Sequence, residues 1–277
     1  MQVLLLAVAL MGAFAGQQKP SAPPSVRLYI LDCGTIVDMN PASYGLKIEE
    51  IKGPLDFITP CYLVVHPRGT LMWDVGQIPD ANMPANGPGS QGPFRVNRKL
   101  LPQLAALGYS PADITYMAMS HYHGDHSANA NEFARSTWIV QESERAAMFA
   151  TPPPAMATVP NYSKLKDAKT IVVKNTDHDV FGDGTVIIKY APGHTPGHQM
   201  LFINFAKTGP VLLAGDLYHY PEERTLDRIP SFDTNREQTA ESRRKVEELL
   251  KSTRAQLWIQ HDKVLHEKLK KAPEYID

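Results

Sequence analysis

The chain has 277 residues, of which 43% are hydrophobic and 21% charged, and its 28 Lys+Arg against 29 Asp+Glu give a formal net charge of -1. That is enough apolar material for one sizeable core and too little charge for a disordered chain. The near balance leaves no broad basic surface for a run of phosphates, so nucleic acid is disfavoured as a partner and small-molecule chemistry is favoured.

Residues 3–11 are almost uniformly apolar, and Ala13-Phe14-Ala15 places small residues at the two positions a signal peptidase reads. Residues 1–15 therefore read as a secretory signal, 16–25 as a flexible Pro- and Gln-containing lead-in, and 26–277 as one folded domain without linker or repeat. The protein is then exported, periplasmic or extracellular. No Lys or Arg precedes the apolar run, which leaves as alternatives a true start upstream of the given one or an uncleaved anchor. The run is shorter than the ~20 residues a spanning helix needs, and no later segment is long and apolar enough, so no permanent membrane anchor is expected after cleavage.

Short β-rich runs follow at 26–31, 61–65, 70–73, 114–119, 137–141, 170–173, 186–190, 200–204, 211–214 and 257–260, most of them bounded by Gly, Pro, Asp or Asn. Helical patterns cover 98–107, 142–149 and 236–251, the last carrying an apolar stripe of Val246, Leu249 and Leu250. Hairpin-like strand clusters with interspersed helices predict a mixed α/β protein with two central sheets and helices outside. Segment 76–93 reads as a loop long enough to cover a site. Cys33 and Cys61 lie in or beside separate strands. An oxidising compartment permits their disulfide, two buried free thiols are the plainer reading, and neither has the neighbours of a metal or catalytic cysteine.

The chemistry concentrates in Ser120-His121-Tyr122-His123-Gly124-Asp125-His126, just beyond a predicted strand. In an extended segment His121 and His123 point the same way, while Asp125 and His126 turn into the next element and face a second point close by. Two adjacent metal sites fit that spacing better than one. Further donors stand at other strand exits: His194 within Pro192-Gly193-His194-Thr195-Pro196-Gly197-His198, Asp216 after Gly215, and His261 after residues 257–260. Imidazole suits zinc, and a two-metal centre needs a shared carboxylate or hydroxide.

These motifs, with Trp73-Asp74-Val75-Gly76, Gly215-Asp216 and Gln260-His261-Asp262, resemble the metallo-β-lactamase-fold hydrolases over nearly the whole mature chain. Within them the chain is most similar to the N-acyl-homoserine lactonases that open quorum-sensing signals, on Pro60-Cys61-Tyr62-Leu63, the run from Gly193 to Ile203, and Pro273-Glu274-Tyr275-Ile276. The resemblance implies an α/β fold, a four-layer αβ/βα sandwich with two zinc ions at one edge, Co2+ or Fe2+ being substitutes. It implies that His121, His123 and His194 hold one metal, that Asp125, His126 and His261 hold the other, and that Asp216 bridges them together with a hydroxide that attacks the lactone. Asp125 could also shuttle the proton, and Asp74 would orient a metal-bound histidine. The partner implied is a small-molecule lactone; a homodimer is compatible with it.

Where many of these lactonases carry a tyrosine three residues after the bridging aspartate, this chain has His219, flanked by Tyr218 and Tyr220. His219 could donate to the oxyanion or act as general acid, or a neighbouring tyrosine could substitute. Phe94, Met83, Ile78 and Met39 are candidates for the wall of an acyl-chain groove. Of the other histidines, His66 and His266 are expected at the surface, His178 in a polar turn, and His198 in a structural role. Other hydrolases of this fold, such as a glyoxalase-II-like thioesterase or a β-lactamase, and a non-catalytic metal-binding module are the alternatives.

Overall fold

The computed structural model describes residues 20–277, so the expected signal at 1–15 lies outside the described residues. Residues 20–26 precede the first strand without helix or strand. In chain order come β1 (Arg27–Ile36), β2 (Phe57–His66), β3 (Gly69–Trp73), β4 (Gly89–Gln91), β5 (Phe94–Val96), α1 (Leu100–Ala106), β6 (Tyr116–Ala118), α2 (Gly124–Ser127), β7 (Thr137–Gln141), α3 (Glu142–Met148), α4 (Val159–Tyr162) and β8 (Thr170–Val173). Their strands form an eight-stranded sheet in the order β4-β5-β1-β2-β3-β6-β7-β8. There follow β9 (His178–Asp179), β10 (Val186–Tyr190), β11 (Gln199–Phe205), β12 (Gly209–Leu213), α5 (Pro221–Thr225), α6 (Arg236–Thr253), β13 (Gln256–Trp258) and α7 (Lys263–Glu267), whose strands form a second sheet, β13-β12-β11-β10-β9.

Period-two alternation builds the layers. Along β2, Tyr62 and Val64 face the second sheet, while Cys61, Leu63 and Val65 face outward onto a cluster with Leu100 and Leu104 of α1 and Met148 of α3. Along β11, Leu201 and Ile203 meet the first sheet, while Met200 and Phe202 pack with Val246 and Leu250 of α6. Each fully buried aliphatic contributes roughly 2 kcal/mol, so the shared inner cluster locks the two sheets face to face. The result is helix, sheet, sheet, helix: the expected four-layer αβ/βα sandwich.

Two expectations need correction and a third needs refinement. The cysteines are not free thiols: Cys33 and Cys61 are disulfide-bonded, with Cα atoms 5.7 Å apart. His66 and His266 are buried, not at the surface. His66 stacks on Phe181 and its Nε2 lies 3.1 Å from Thr185 Oγ1, while His266 Nε2 lies 3.4 Å from the Tyr62 hydroxyl, so nonlocal partners replace their lost hydration. Segment 76–93 is mostly loop as expected, but Gly89–Gln91 pairs as β4, and Ile78 and Met83 are buried with Val96 in a satellite cluster. No helix among the described residues is long and apolar enough to cross a membrane.

Candidate metal centre

Strand β3 runs parallel to β6, and β12 runs parallel to β13 and antiparallel to β11, as β10 does. The segments leaving these strands converge at one edge of the sandwich, tied there by the Gln199 amide donating to Ser120 O at 2.9 Å. Beyond β6, His121 and His123 alternate with Tyr122, whose ring turns into the outer core. Gly124 then opens the single turn of α2, which swings Asp125 and His126 to the neighbouring point. Two glycines permit the close approach of the other segments. Gly193 has φ +137°, and a Cβ there would lie 2.3 Å from Thr239 N; Gly215 has φ +52°, and a Cβ there would lie 2.7 Å from His198 Nε2. A side chain at either position would push His194 or Asp216 off the edge.

All seven predicted donors are brought together, in two groups sharing one residue: His121, His123, His194 and Asp216, and Asp125, His126, Asp216 and His261. In the first, His121 Nε2 and His123 Nδ1 are 2.8 Å apart, His194 Nε2 is 3.2 and 3.1 Å from them, and Asp216 Oδ2 is 3.6 Å from His121 Nε2. In the second, His126 Nε2 is 3.3 Å from Asp125 Oδ2 and from Asp216 Oδ1, and His261 Nε2 is 3.1 Å from Asp216 Oδ1. Asp216 thus gives one oxygen to each group.

The other ring nitrogens are committed elsewhere. His126 Nδ1 lies 3.1 Å from Asp74 Oδ2, His194 Nδ1 2.9 Å from Asp233 Oδ1, and His261 Nδ1 2.7 Å from the Ile58 carbonyl. With Nδ1 turned outward to these acceptors, each ring aims its Nε2 inward, the atom that would bind a cation. Inside, His126 Nε2 and Asp216 Oδ1 are buried without any hydrogen-bond partner. A tetrahedral cation bound at about 2.0–2.1 Å would space its nitrogen ligands roughly 3.3 Å apart, close to the separations found. The donor set, its outward-tied ring nitrogens and its two orphaned atoms therefore fit a pair of zinc-like ions.

Burial works against a charge on His126, yet the Asp216, Asp125 and Asp74 carboxylates hold its imidazole well above the usual range, so a cation bound there would displace a proton. Burial and the neighbouring histidines hold His121 and His123 well below the usual imidazole range, in the neutral ligand form. Burial works against the charge on Asp216, yet His126, His261, His121 and His219 hold its carboxyl well below the usual range. Asp74 takes the expected orienting role on His126, and also accepts from Ser120 N at 2.6 Å and from Gln260 Nε2 at 3.0 Å. His198, expected to be structural, accepts the Asp216 amide on Nε2 at 3.0 Å and donates from Nδ1 to Ala191 O.

The structure also supplies groups that sequence reasoning missed. Asp233 fixes His194. Glu144 accepts from Tyr122 N, Thr195 Oγ1 and Gly197 N, tying the two ligand segments together, with burial pushing its carboxyl up to about 7. Neither acid stands at a metal-ligand spacing, so no sequence signal marks either.

His219 and Tyr218 part company. His219 Nε2 lies 3.3 Å from Asp216 Oδ2, and burial lowers its basicity less than the Glu223 and Asp216 carboxylates raise it, to about 10. Tyr218, expected as a catalytic candidate, is not at the site. Its backbone is extended (φ -140°, ψ 140°), so its ring points opposite to His219, beneath Arg243, with its hydroxyl 3.4 Å from Glu247. Tyr220 donates its hydroxyl to Met39 O instead.

Over the donors lies a cavity of about 370 Å³. His123, Asp125, His194, Asp216, His219 and His261 line it, together with Ile36, Met39, Tyr44, Phe57, Phe94, Met156 and Phe232. Met39 and Phe94 are thus in the wall as expected, whereas Ile78 and Met83 are not, being consumed by their own cluster; Tyr44, Phe57, Met156 and Phe232 were not foreseen.

Residues 55–255 match the family described as the metallo-beta-lactamase superfamily. The chain is 29% identical over 265 residues to the N-acyl homoserine lactonase AttM of Azorhizobium caulinodans, covering 91% of this chain and 99% of that protein. It is 27% identical over 234 residues to the N-acyl homoserine lactonase AiiA of Bacillus thuringiensis subsp. kurstaki, covering 78% and 86%. Among solved structures it superposes on an N-acyl homoserine lactone hydrolase with the product N-hexanoyl-L-homoserine bound at its catalytic metal centre, with TM-score 0.74, 25% identity and coverage of 90% and 98%. A quorum-quenching N-acyl homoserine lactone lactonase shares the fold with TM-score 0.76 at 23% identity, over 94% of this chain and 100% of that one.

Proposed function

The chain belongs to the metallo-beta-lactamase superfamily, and on that footing we propose that it is a dinuclear zinc hydrolase that opens the lactone ring of N-acyl-homoserine lactones. The observation that carries the reading is the pair of ligand groups joined by Asp216 on the floor of a cavity with apolar and aromatic walls. Relatives named as lactonases, aligned over 91% of the chain, support the same substrate class.

His121, His123 and His194 would hold one zinc, Asp125, His126 and His261 the other, and Asp216 both. When bound, the ions would lower the pKa of a water from ~15.7 towards ~7 and polarise the ester carbonyl. The chain's own residues supply the rest. Asp125, the most exposed donor at 17% side-chain accessibility, is placed to carry a proton between the floor and solvent. His219, with Nε2 beside Asp216 and its side chain lining the cavity, is placed to donate to an ester seated above the floor. Met39, Phe94 and Met156 offer an acyl chain an apolar wall and shield the centre from bulk water.

Export is part of the proposal, and the Cys33–Cys61 disulfide supports an oxidising compartment. The test of function is turnover of purified, zinc-loaded protein on acyl-homoserine lactones, a β-lactam and a glutathione thioester. Lactone opening well above buffer, and faster than the other two, is expected; turnover of another substrate with lactone opening no faster than buffer refutes the reading.

A further inference from the structure

Both ring nitrogens of His219 face carboxylates. Nε2 lies 3.3 Å from Asp216 Oδ2, and Nδ1, buried and without a well-aligned hydrogen-bond partner, lies 3.3 Å from Glu223 Oε1. The ring itself is confined, 4.7 Å from the ring of Tyr44, 5.7 Å from that of Phe232, and stacked at 5.8 Å on His261. We infer that Glu223 is the positioning residue for His219, holding Nδ1 so that Nε2 is presented to the ester oxygens. The inference rests on the lactone-opening reading and adds to it the group that aims its donor.

Glu223 is fully buried and cannot swing. Its Oε1 accepts the His219 and Tyr220 amides at 3.1 Å each, and its Oε2 accepts Arg243 Nη2 at 2.7 Å. Arg243 is anchored in turn by donating Nε to Leu217 O at 2.9 Å and Nη1 to Arg228 O. Capping the start of α5 would need only a neutral acceptor. A buried ion pair is at best near break-even against apolar packing, so stability does not explain the charge. Beside an imidazole the charge has a use: it faces Nδ1 and so turns Nε2 towards the cavity. Hydrogen bonds of this kind are often loose before substrate binds and tighten afterwards, as the 3.3 Å separation requires.

In the step served, the oxygen of water joins the lactone carbonyl carbon and the ring C–O bond breaks. The Nε2 proton of His219 passes to the departing ring oxygen, and the proton released by the attacking water restores the imidazole. Atoms balance as lactone plus water giving hydroxy acid. A purely structural Glu223 would cap α5 and pair with Arg243 with no effect on the leaving group.

Glu223→Gln keeps an acceptor for both amides and removes the charge. Zinc-loaded parent and variant are compared on N-hexanoyl-homoserine lactone and its sulfur analogue, the thiolactone, whose thiolate leaves without a proton. The expected result is unchanged zinc content, KM within about threefold, lactone kcat reduced about 100-fold or more and thiolactone kcat reduced less than ~3-fold, the first being the loss expected of an acid–base group. Equal losses on both substrates, or none on either, overturn the inference. A second measurement needs no soluble Glu223 variant: NMR of the zinc-loaded parent labelled with 15N in its histidine rings, the His219 signals identified by their loss in His219→Gln. Hydrogen on Nδ1 is expected, and a bare Nδ1 overturns the assignment. If the parent opens no lactone, the proposed function falls while this spectrum still decides whether Glu223 holds His219.

Discussion

Removing the Cys33–Cys61 cross-link is a perturbation whose size follows from chain length alone. The two residues are 28 apart in sequence. Closing a loop of that length removes about 12 cal/mol/K of entropy from the unfolded chain, or about 3.6 kcal/mol at 25 °C. With a urea m-value of about 3 kcal/mol/M for a domain of this size, the midpoint should fall by about 1.2 M. Because Cys33 and Cys61 are both buried, the comparison requires protein reduced while unfolded and then refolded under reductant. Unfolding of both forms, metal-free, is followed by tryptophan fluorescence, since Trp73 and Trp138 are fully buried. The bond borders the site: a Cβ on Gly76 would lie 3.2 Å from Cys33 Cβ, and Gly76 is two residues from Asp74. The Asp74 contacts to Ser120, His126 and Gln260 do not run through sulfur, so added zinc should bind the refolded reduced protein as it binds the parent. A midpoint shift below about 0.3 M at unchanged m would refute the entropic account.

Two substitutions separate groups that aim the site from groups that only pack near it. Asp233→Asn removes the charged acceptor from His194 Nδ1 while keeping its shape; zinc affinity, measured by competition with a chelating dye, should fall about 10–100-fold, and an unchanged affinity would deny Asp233 its orienting role. Tyr218→Phe removes a hydroxyl that touches Glu247 on the far side of the chain from His219 and keeps the buried ring; kcat and KM on the lactone should stay within about twofold, and a tenfold loss would return Tyr218 to the candidates.

What could be read from the sequence was what local spacing dictates. The His121 to His126 segment is legible because alternation along extended backbone followed by a helical turn fixes where four side chains point within six residues. His194, Asp216 and His261 are legible as donors standing just beyond strands, a setting that edges of sheets share. Asp233 and Glu144 are not, because their roles arise from partners 39 and 22 to 53 positions away, and nothing in an acid's own neighbourhood announces such a contact. Glu223 stands only four residues from His219, but its burial against Arg243, 20 positions on, is not readable locally. The same nonlocality misplaced His66 and His266. Strands β4, β5 and β9, of two or three residues, are too short for period two to show. Tyr218 and His219 were inseparable by composition; one extended residue sends them to opposite sides.

The net charge of -1 conceals a segregation that bears on stability. Among the described residues the buried set holds seven carboxylates, Asp74, Asp80, Glu144, Asp216, Glu222, Glu223 and Asp233, against one guanidinium, Arg243. Six of these acids have identifiable compensation: Asp80 accepts two backbone amides, Glu222 the Lys52 amide, Glu144 three donors, Glu223 the Arg243 ion pair, Asp74 Ser120 and Gln260, and Asp233 Thr239. The Asp216 carboxylate lies among imidazoles with the Asp125 carboxylate close by, and its Oδ1 has no hydrogen-bond partner. Burial works against its charge, the surrounding histidines hold it ionised, and bound cations would take over that role. Asp216→Asn should therefore cost stability with and without metal, and more with it. Without metal the variant loses its attraction to those histidines and should melt below the parent; with zinc the gap should widen, since free zinc at about 100 times Kd stabilises by roughly 2.7 kcal/mol per site and the variant loses the shared ligand. Zinc per chain and lactone turnover should fall with it. Calorimetry with and without chelator reads the two gaps, and a gap no wider with zinc than without would mean that Asp216 serves the fold and not the cations.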